Sequence, residues 1–271
     1  MKKRKILKLF MIFCIVIVLV HVVHALTLDR IIQYREAIFR SERLPAQMDG
    51  YRIAFVTDTH RISTRRLRGV VERLNTLDVD ILILGGDFGR DDGEPQRTIE
   101  ILSQVQTTDG IFGVEGNHDR YWELFAAMQA HGMTPLSNSG AHIRENFYLA
   151  GVEDLWRRNA SIERAIADAE PDDFILLVAH NPDVTMRQDT SNVDLILSGH
   201  THGGQITFFG LWAPALTRLN PFPITRYGHR FMSGWAESRD GTPVFVSRGT
   251  GEYLPRVFAR PQVILITLTG Y

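Results

Sequence analysis

From Tyr51 to its end, the chain sets short apolar runs between polar stretches. The runs "RIAFV", "VDILIL", "IFGVE", "NFYLAG", "FILLVA", "VDLIL", "TPVFVS" and "QVILITLT" are rich in Val, Ile, Leu and Phe and are bounded by turn formers. That is the pattern of buried strands. Between the early runs, Leu67, Val70, Val71 and Leu74, then Ile99, Leu102 and Val105, recur at the spacing of amphipathic helices. The last runs are joined by turns only. Alternating strand and helix followed by strand-rich sequence predicts a layered α/β domain with at least one parallel-rich sheet.

Ahead of this domain the pattern changes. Lys2, Lys3, Arg4 and Lys5 precede a stretch from Ile6 to Leu26 that is apolar apart from Lys8, His21 and His24. Roughly 20 apolar residues span the ~30 Å hydrocarbon core, so residues 1–26 read as a transmembrane anchor. The alternative is a signal peptide cleaved after "VHA" at Ala25. The leading charges favour a cytoplasmic N-terminus and an extracytoplasmic domain at an inner or plasma membrane, although Arg30, Arg35, Arg40 and Arg43 on the far side weaken the asymmetry. Leu28, Ile31, Ile32, Arg35, Ile38 and Phe39 fall at near-helical spacing. Residues 27–49 therefore read as a linker with an amphipathic helix, and 50–271 as the main domain.

Composition narrows the chemistry. A 44% hydrophobic, 23% charged chain is that of an ordinary globular protein, and 30 Lys+Arg against 31 Asp+Glu leaves no basic field for a nucleic-acid backbone. The one cysteine, Cys14, lies in the anchor. A disulfide framework and a thiolate zinc site are both excluded, so any metal site uses nitrogen and oxygen ligands. No obligate protein partner is indicated.

Ligands of α/β sheets bind beyond the carboxyl ends of the strands, and there this chain concentrates its metal-competent residues. Asp58 and His60 follow "RIAFVT", Asp87 follows "VDILILGG", and Asn117, His118 and Asp119 follow "IFGVEG". His180 follows "FILLVA", while His200 and His202 follow "VDLILSG". Singly, each has a bland reading as a loop cap, turn residue or core histidine. Together they form a set of carboxylate, amide and imidazole groups suited to Mn, Fe or Zn, and too numerous for one four-coordinate ion. Gly203 and Gly204 read as conformational residues of a sharp turn; Gln205 has no assigned role.

The ordered blocks "DTH", "GGD", "GNHD", "AHNP" and "GHTHGGQ" resemble those of the calcineurin-like metallophosphoesterase superfamily over roughly Tyr51 to Leu268. "GHTHGGQ" with an N-terminal membrane segment is similar to the membrane-associated, YkuE- and YaeI-like phosphodiesterase branch. The resemblance implies a four-layer αββα sandwich of two mixed sheets flanked by helices. It implies that Asp58, His60 and His202 hold one divalent ion, that Asn117, His180 and His200 hold a second, and that Asp87 bridges them. His118 then meets the leaving-group oxygen, and Asp119 orients its ring. Arg61 and Ile62 depart from the apolar residue and glycine that many relatives carry after the equivalent of His60, which affects loop shape rather than ligands.

Two ions can grip the entering and leaving oxygens of a displacement at phosphorus and activate water between them. The expected activity is hydrolysis of a phosphodiester or pyrophosphate. Between Gln205 and Gly241 the chain is rich in Phe, Trp and Pro. One reading is a structural hairpin; the sharper one is an apolar lip of Phe208, Phe209, Leu211, Trp212 and Phe222 facing the bilayer or acyl chains, with Arg218, Arg226 or Arg230 meeting phosphate. The branch makes UDP-2,3-diacylglucosamine, or another lipid-linked ester, the specific substrate expectation. The alternatives are an envelope phosphodiesterase or phosphatase acting on a non-lipid substrate, and a metal-free scaffold. A scaffold of that kind would lack ligands, and none is missing here. A metallo-β-lactamase-like site needs an acidic residue where Gly203, Gly204 and Gln205 stand.

Overall fold

The structure is a computed structural model that describes residues 2–89, 95–217, 220–221, 223–251 and 255–270. All eight apolar runs form strands. One six-stranded sheet runs, in spatial order, β1 (Gln33–Arg40), β12 (Gln262–Thr269), β2 (Arg52–Val56), β3 (Ile81–Leu84), β4 (Ile111–Gly113) and β5 (Thr134–Pro135). The other runs β10 (Gly234–Glu237), β11 (Pro243–Val246), β9 (Leu195–Ser198), β8 (Phe174–Val178), β7 (Phe147–Gly151) and β6 (Ser139–Arg144). In the first sheet β2 to β5 are parallel and β12 is antiparallel to β2. In the second, β7, β8, β9 and β11 are parallel and the two edge strands are antiparallel.

Side-chain alternation along the strands assigns the layers. In β2, Ile53 and Phe55 point between the sheets, where they meet Ile83, Phe147, Leu176, Leu197 and Phe245; Ala54 and Val56 point outward. The outward face is covered by α2 (Thr64–Leu74), α3 (Gln96–Leu102) and α4 (Tyr121–Ala130), through Leu67, Val71, Ile99 and Leu124. The far face of the second sheet is covered by the short α5 (Ile162–Ala165) and helical turns around Val184 and Phe231. Each fully buried Phe or Leu contributes about 1.5–3 kcal/mol. The αββα sandwich expected from the strand pattern and the motifs is therefore observed.

The segment from residue 27 to 49 departs from the expected helical linker. After a single helical turn at Leu28–Arg30, the chain forms β1, paired in parallel with β12 over its whole length from Gln33↔Gln262 to Arg40↔Thr269. The helical spacing of these residues does not carry over to the strand, in which alternate positions face opposite sides. Tyr34 packs with the outer core, whereas Ala37 and Phe39 face the inter-sheet core. An open edge of β12 supplies eight backbone partners, which outweighs weak local propensity.

The N-terminal segment forms α1 (Lys2–Leu26), none of whose residues is buried against the domain. It is the one helix among the described residues that is long and apolar enough to cross a membrane.

Candidate metal centre

The parallel cores of both sheets end at one place. β2, β3 and β4 deliver Asp58, Asp87 and Asn117, and β8 and β9 deliver His180 and His200. Four of the side chains in this cluster leave backbone in the left-handed region: Asp58, Asp87, His200 and His202 have φ of 50°, 61°, 69° and 51°. Such conformations are uncommon for residues other than glycine and gather at functional sites, where surrounding structure enforces them. Close packing supplies the enforcement. A Cβ added to Gly199 would fall on Asp58 Oδ2, and one added to Gly116 would fall on Asp87 Oδ1.

The side chains form two groups. Asp58, His60 and His202 offer ligand atoms all within 4.8 Å of one another, as do Asp87, His180 and His200. Asp87 Oδ2 lies 3.0 Å from His60 Nε2 and 3.2 Å from His180 Nε2, and so faces both groups. Asp58 Oδ1 lies 3.2 Å from His202 Nε2. Asn117 Oδ1 is 3.2 Å from His180 Nε2.

Outer contacts aim the rings. His180 Nδ1 donates to the Gly85 carbonyl at 2.7 Å, His200 Nε2 donates to that of Ile224 at 3.0 Å, and His202 Nδ1 stands 3.2 Å from Gln205 Oε1. Contacts of this kind fix which nitrogen is left for a cation. They give Gln205 a role the sequence did not.

The electrostatics match the donor set. Asp58 and Asp87 are wholly buried. Burial alone would raise Asp87, but His180 and His60 hold its carboxyl well below the usual range. Burial likewise opposes charge on His180 and His60, yet Asp87 and Asp58 hold both above the ordinary imidazole value. Burial, and then His180, push His200 down to about 3, leaving it neutral. Two buried carboxylates thus draw positive charge onto the imidazole nitrogens in front of them. Divalent cations are the species that supply such charge to carboxylate, amide and neutral imidazole donors, and the residues present fit two of them.

His118 is exposed at the rim of the cluster, its ring edge-on to His60 with centroids 5.2 Å apart. Its backbone N–H donates to Asp87 Oδ1 at 2.8 Å. Asp119 does not hold the His118 ring as expected. Its Oδ2 accepts the N–H of Asp87 at 2.6 Å and of Gly116 at 2.9 Å, and its Oδ1 accepts those of Phe88 and Gly89. Burial and the Asp87 charge push Asp119 up to about 6, against four amides that favour its ionised form. Its side chain staples two ligand loops together through these four backbone amides.

The sequence reading missed the loop from Arg248 to Gly251. Thr250 and Gly251 donate backbone N–H groups to the Thr57 and Asp58 carbonyls at 3.0 and 2.8 Å. The fully buried Arg256 holds this loop, donating to the carbonyls of Gly251, Arg248 and Ala259. The paired glycines of "RGTG" after the "TPVFVS" strand were the available signal.

The expected substrate-binding residues scatter. Arg226 is exposed, two positions beyond the Ile224 carbonyl that receives His200, whereas Arg230 is turned to the Glu237 carbonyl on β10. Phe208 stacks on His21 of α1 at 5.3 Å, and Trp212 stacks on His229 at 6.4 Å. Arg218 and Phe222 lie outside the described residues.

Known proteins are similar to this chain in sequence. The calcineurin-like phosphoesterase profile matches residues 51–204, which contain all seven of the expected ligands. The chain is 31% identical over 254 residues to a Bos taurus protein named transmembrane protein with metallophosphoesterase domain, covering 83% of this chain and 54% of that one. A Danio rerio protein of the same name is 29% identical, with 84% and 55% covered. The chain thus spans about half the length of these two relatives. The metallophosphoesterase YkuE of Bacillus subtilis is 27% identical over 258 residues, with 88% of this chain and 85% of that one covered.

Proposed function

Because the chain belongs to the calcineurin-like phosphoesterase family, we propose that it is a membrane-anchored hydrolase of phosphodiester or pyrophosphate bonds that uses two divalent metal ions. The observation that carries this reading is the pair of buried clusters, Asp58/His60/His202 and Asp87/His180/His200, with Asp87 facing both. Asp58, His60 and His202 would hold one ion, Asn117, His180 and His200 the other, and Asp87 would be shared. The bound ions supply Lewis acidity toward the phosphoryl oxygens and lower the pKa of water towards neutrality.

The remaining chemistry belongs to side chains. A shared carboxylate at Asp87 limits the separation of the two clusters, and the neutral amide of Asn117 donates an oxygen without adding negative charge that would repel a phosphate. His118, exposed beside His60 at the rim of the cluster, is the group for donating a proton to the departing oxygen. Arg226, exposed near the His200 side of the cluster, suits a second phosphate or a headgroup. We read α1 as a membrane span, which favours a lipid-linked ester such as UDP-2,3-diacylglucosamine over a freely soluble one; the relatives named as transmembrane proteins support the anchor.

Full-length protein, Mn²⁺ and bis(p-nitrophenyl) phosphate test the reaction. Turnover should require the metal, vanish in Asp87→Ala, and fall about 10²–10⁴-fold in His118→Ala while metal binding persists. Undiminished turnover by Asp87→Ala sinks the reading. Adding UDP-2,3-diacylglucosamine and a soluble nucleoside diphosphate sugar as competitors separates a lipid-linked from a non-lipid substrate.

A further inference from the structure

The helix α1 and the catalytic domain meet at one aromatic cluster. His21 of α1 is enclosed by Phe208, Phe209 and Phe258, with ring centroids 5.3, 4.5 and 4.9 Å away, and His24 stacks on Phe258 at 3.8 Å. His21 Nδ1 donates to the Ile17 carbonyl at 2.8 Å, while its Nε2 is buried with no hydrogen-bond partner. Asp29, just past the helix, is also buried; it receives His24 Nδ1 at 2.7 Å and the N–H groups of Phe258 and Ala259. The helix end is thereby clamped to the domain.

The loop that supplies Phe208 and Phe209 is built, yet greasy. The Phe208 N–H donates to the Trp212 carbonyl at 2.7 Å, and Gly210 N–H donates to Thr207 Oγ1 at 2.9 Å. Nonetheless Leu211 is 79% exposed, and Ile206, Phe208 and Trp212 are each nearly half exposed. A stiff hairpin that leaves this much apolar surface uncovered calls for an apolar surrounding.

Position along α1 says which. His21 stands five positions before the helix end at Leu26, so rings packed on it lie about 7–8 Å back along the helix axis. Counting the roughly 20 residues that cross a hydrocarbon core from Lys8, the last charged residue of α1, reaches about Leu28. The Phe208 and Phe209 rings therefore fall within the outer ~10 Å of the leaflet that α1 leaves, the depth at which interfacial apolar groups reside. Arg66 and Arg260, which donate to the Arg30 and Ile31 carbonyls, put cationic side chains around the exit of the helix, where lipid phosphates lie.

We propose that the loop Ile206–Trp212 inserts into the bilayer leaflet from which α1 emerges, with phospholipid as its partner. This rests on the reading of α1 as a membrane span. The loop begins one residue after Gln205, which contacts His202. Insertion therefore fixes the metal-cluster turn at the membrane surface and turns it towards phosphoesters carried there.

Nitroxide labels on full-length protein in phosphatidylcholine–phosphatidylglycerol nanodiscs test this. One label replaces Leu211, as Leu211→Cys in a Cys14→Ala background; another sits on the native Cys14; a third, Trp122→Cys in the same background, uses a residue 80% exposed on α4. The label at 211 should collide several-fold more with oxygen than with a water-soluble nickel chelate, and the label at 122 should show the reverse. Chelate access at 211 with a lipid-exposed Cys14 overturns the proposal and leaves the anchor standing. Dipolar broadening at 211 would put a second copy on the loop and also overturn it. Chelate access at Cys14 removes anchor and proposal together. Turnover of the soluble aryl diester by the same preparations reports the phosphoesterase reading separately.

Discussion

The Asp119 carboxylate accepts the backbone N–H of Asp87 at 2.6 Å, and its other oxygen accepts that of Phe88 at 2.8 Å. Asp119 thus acts on the loop that presents Asp87 rather than on the neighbouring His118 ring. Asp119→Asn puts an amide donor among backbone donors. It should cost about 1–3 kcal/mol in urea denaturation and lower bound metal, because the Asp87 loop is loosened. An unchanged metal content with a selective loss of leaving-group protonation would instead restore the pairing with His118.

Gly199 leaves no room for a side chain beside Asp58. A methyl group there would fall on Asp58 Oδ2, with Thr57 Oγ1 also in the way. Gly199→Ala should therefore displace Asp58 and reduce metal affinity about 10–100-fold, the usual cost of disturbing a ligand's support. Isothermal titration with Mn²⁺ reads this directly. Gly241→Ala is the contrasting variant: nothing lies near its added Cβ, although its φ of 88° makes it a strained fold control.

Asp154 is buried, and burial raises its carboxyl above the ordinary value. A carboxyl raised in the folded state contributes fully below the unfolded carboxylate range, and its contribution is lost as pH rises through the folded value. Asp154→Asn keeps an oxygen for the Trp156 N–H that Asp154 Oδ1 accepts at 2.9 Å, and removes the charge. In chelated protein, the variant should gain stability relative to wild type as pH rises from the acid side of that range to neutrality. Denaturation curves at stepped pH check the sign; a constant difference would mean Asp154 ionises without penalty.

Much of this was legible in the sequence because strand ends carry their chemistry with them. The runs before Asp58, Asp87, Asn117, His180 and His200 are apolar on both faces, as strands buried between layers must be, so the convergence of their ends followed from the fold class. What stayed hidden depended on partners distant in the chain. Leu28 to Phe39 fits a helix when read locally, yet its part from Gln33 onward joins β1 because β12, more than 200 residues later, offers an open edge. Strand β5 is two residues long, too short to leave a periodic signal. The carboxylate of Asp119 could be placed only once the Asp87 and Gly116 backbones were known to face it. Arg256 reads as one more surface arginine until the carbonyls of Arg248, Gly251 and Ala259 close around it. The aromatic residues after Gln205 announced an apolar surface, but their contact with His21 required the position of α1.

If the two clusters facing Asp87 hold a pair of divalent cations, the metal can be counted. Elemental analysis of Mn²⁺-loaded, gel-filtered full-length protein tests it most directly, with Asp87→Asn alongside. Two metal ions per wild-type chain, and the loss of at least one in the variant, are expected. Wild-type chains that retain none while still hydrolysing an aryl phosphodiester in excess chelator would contradict it.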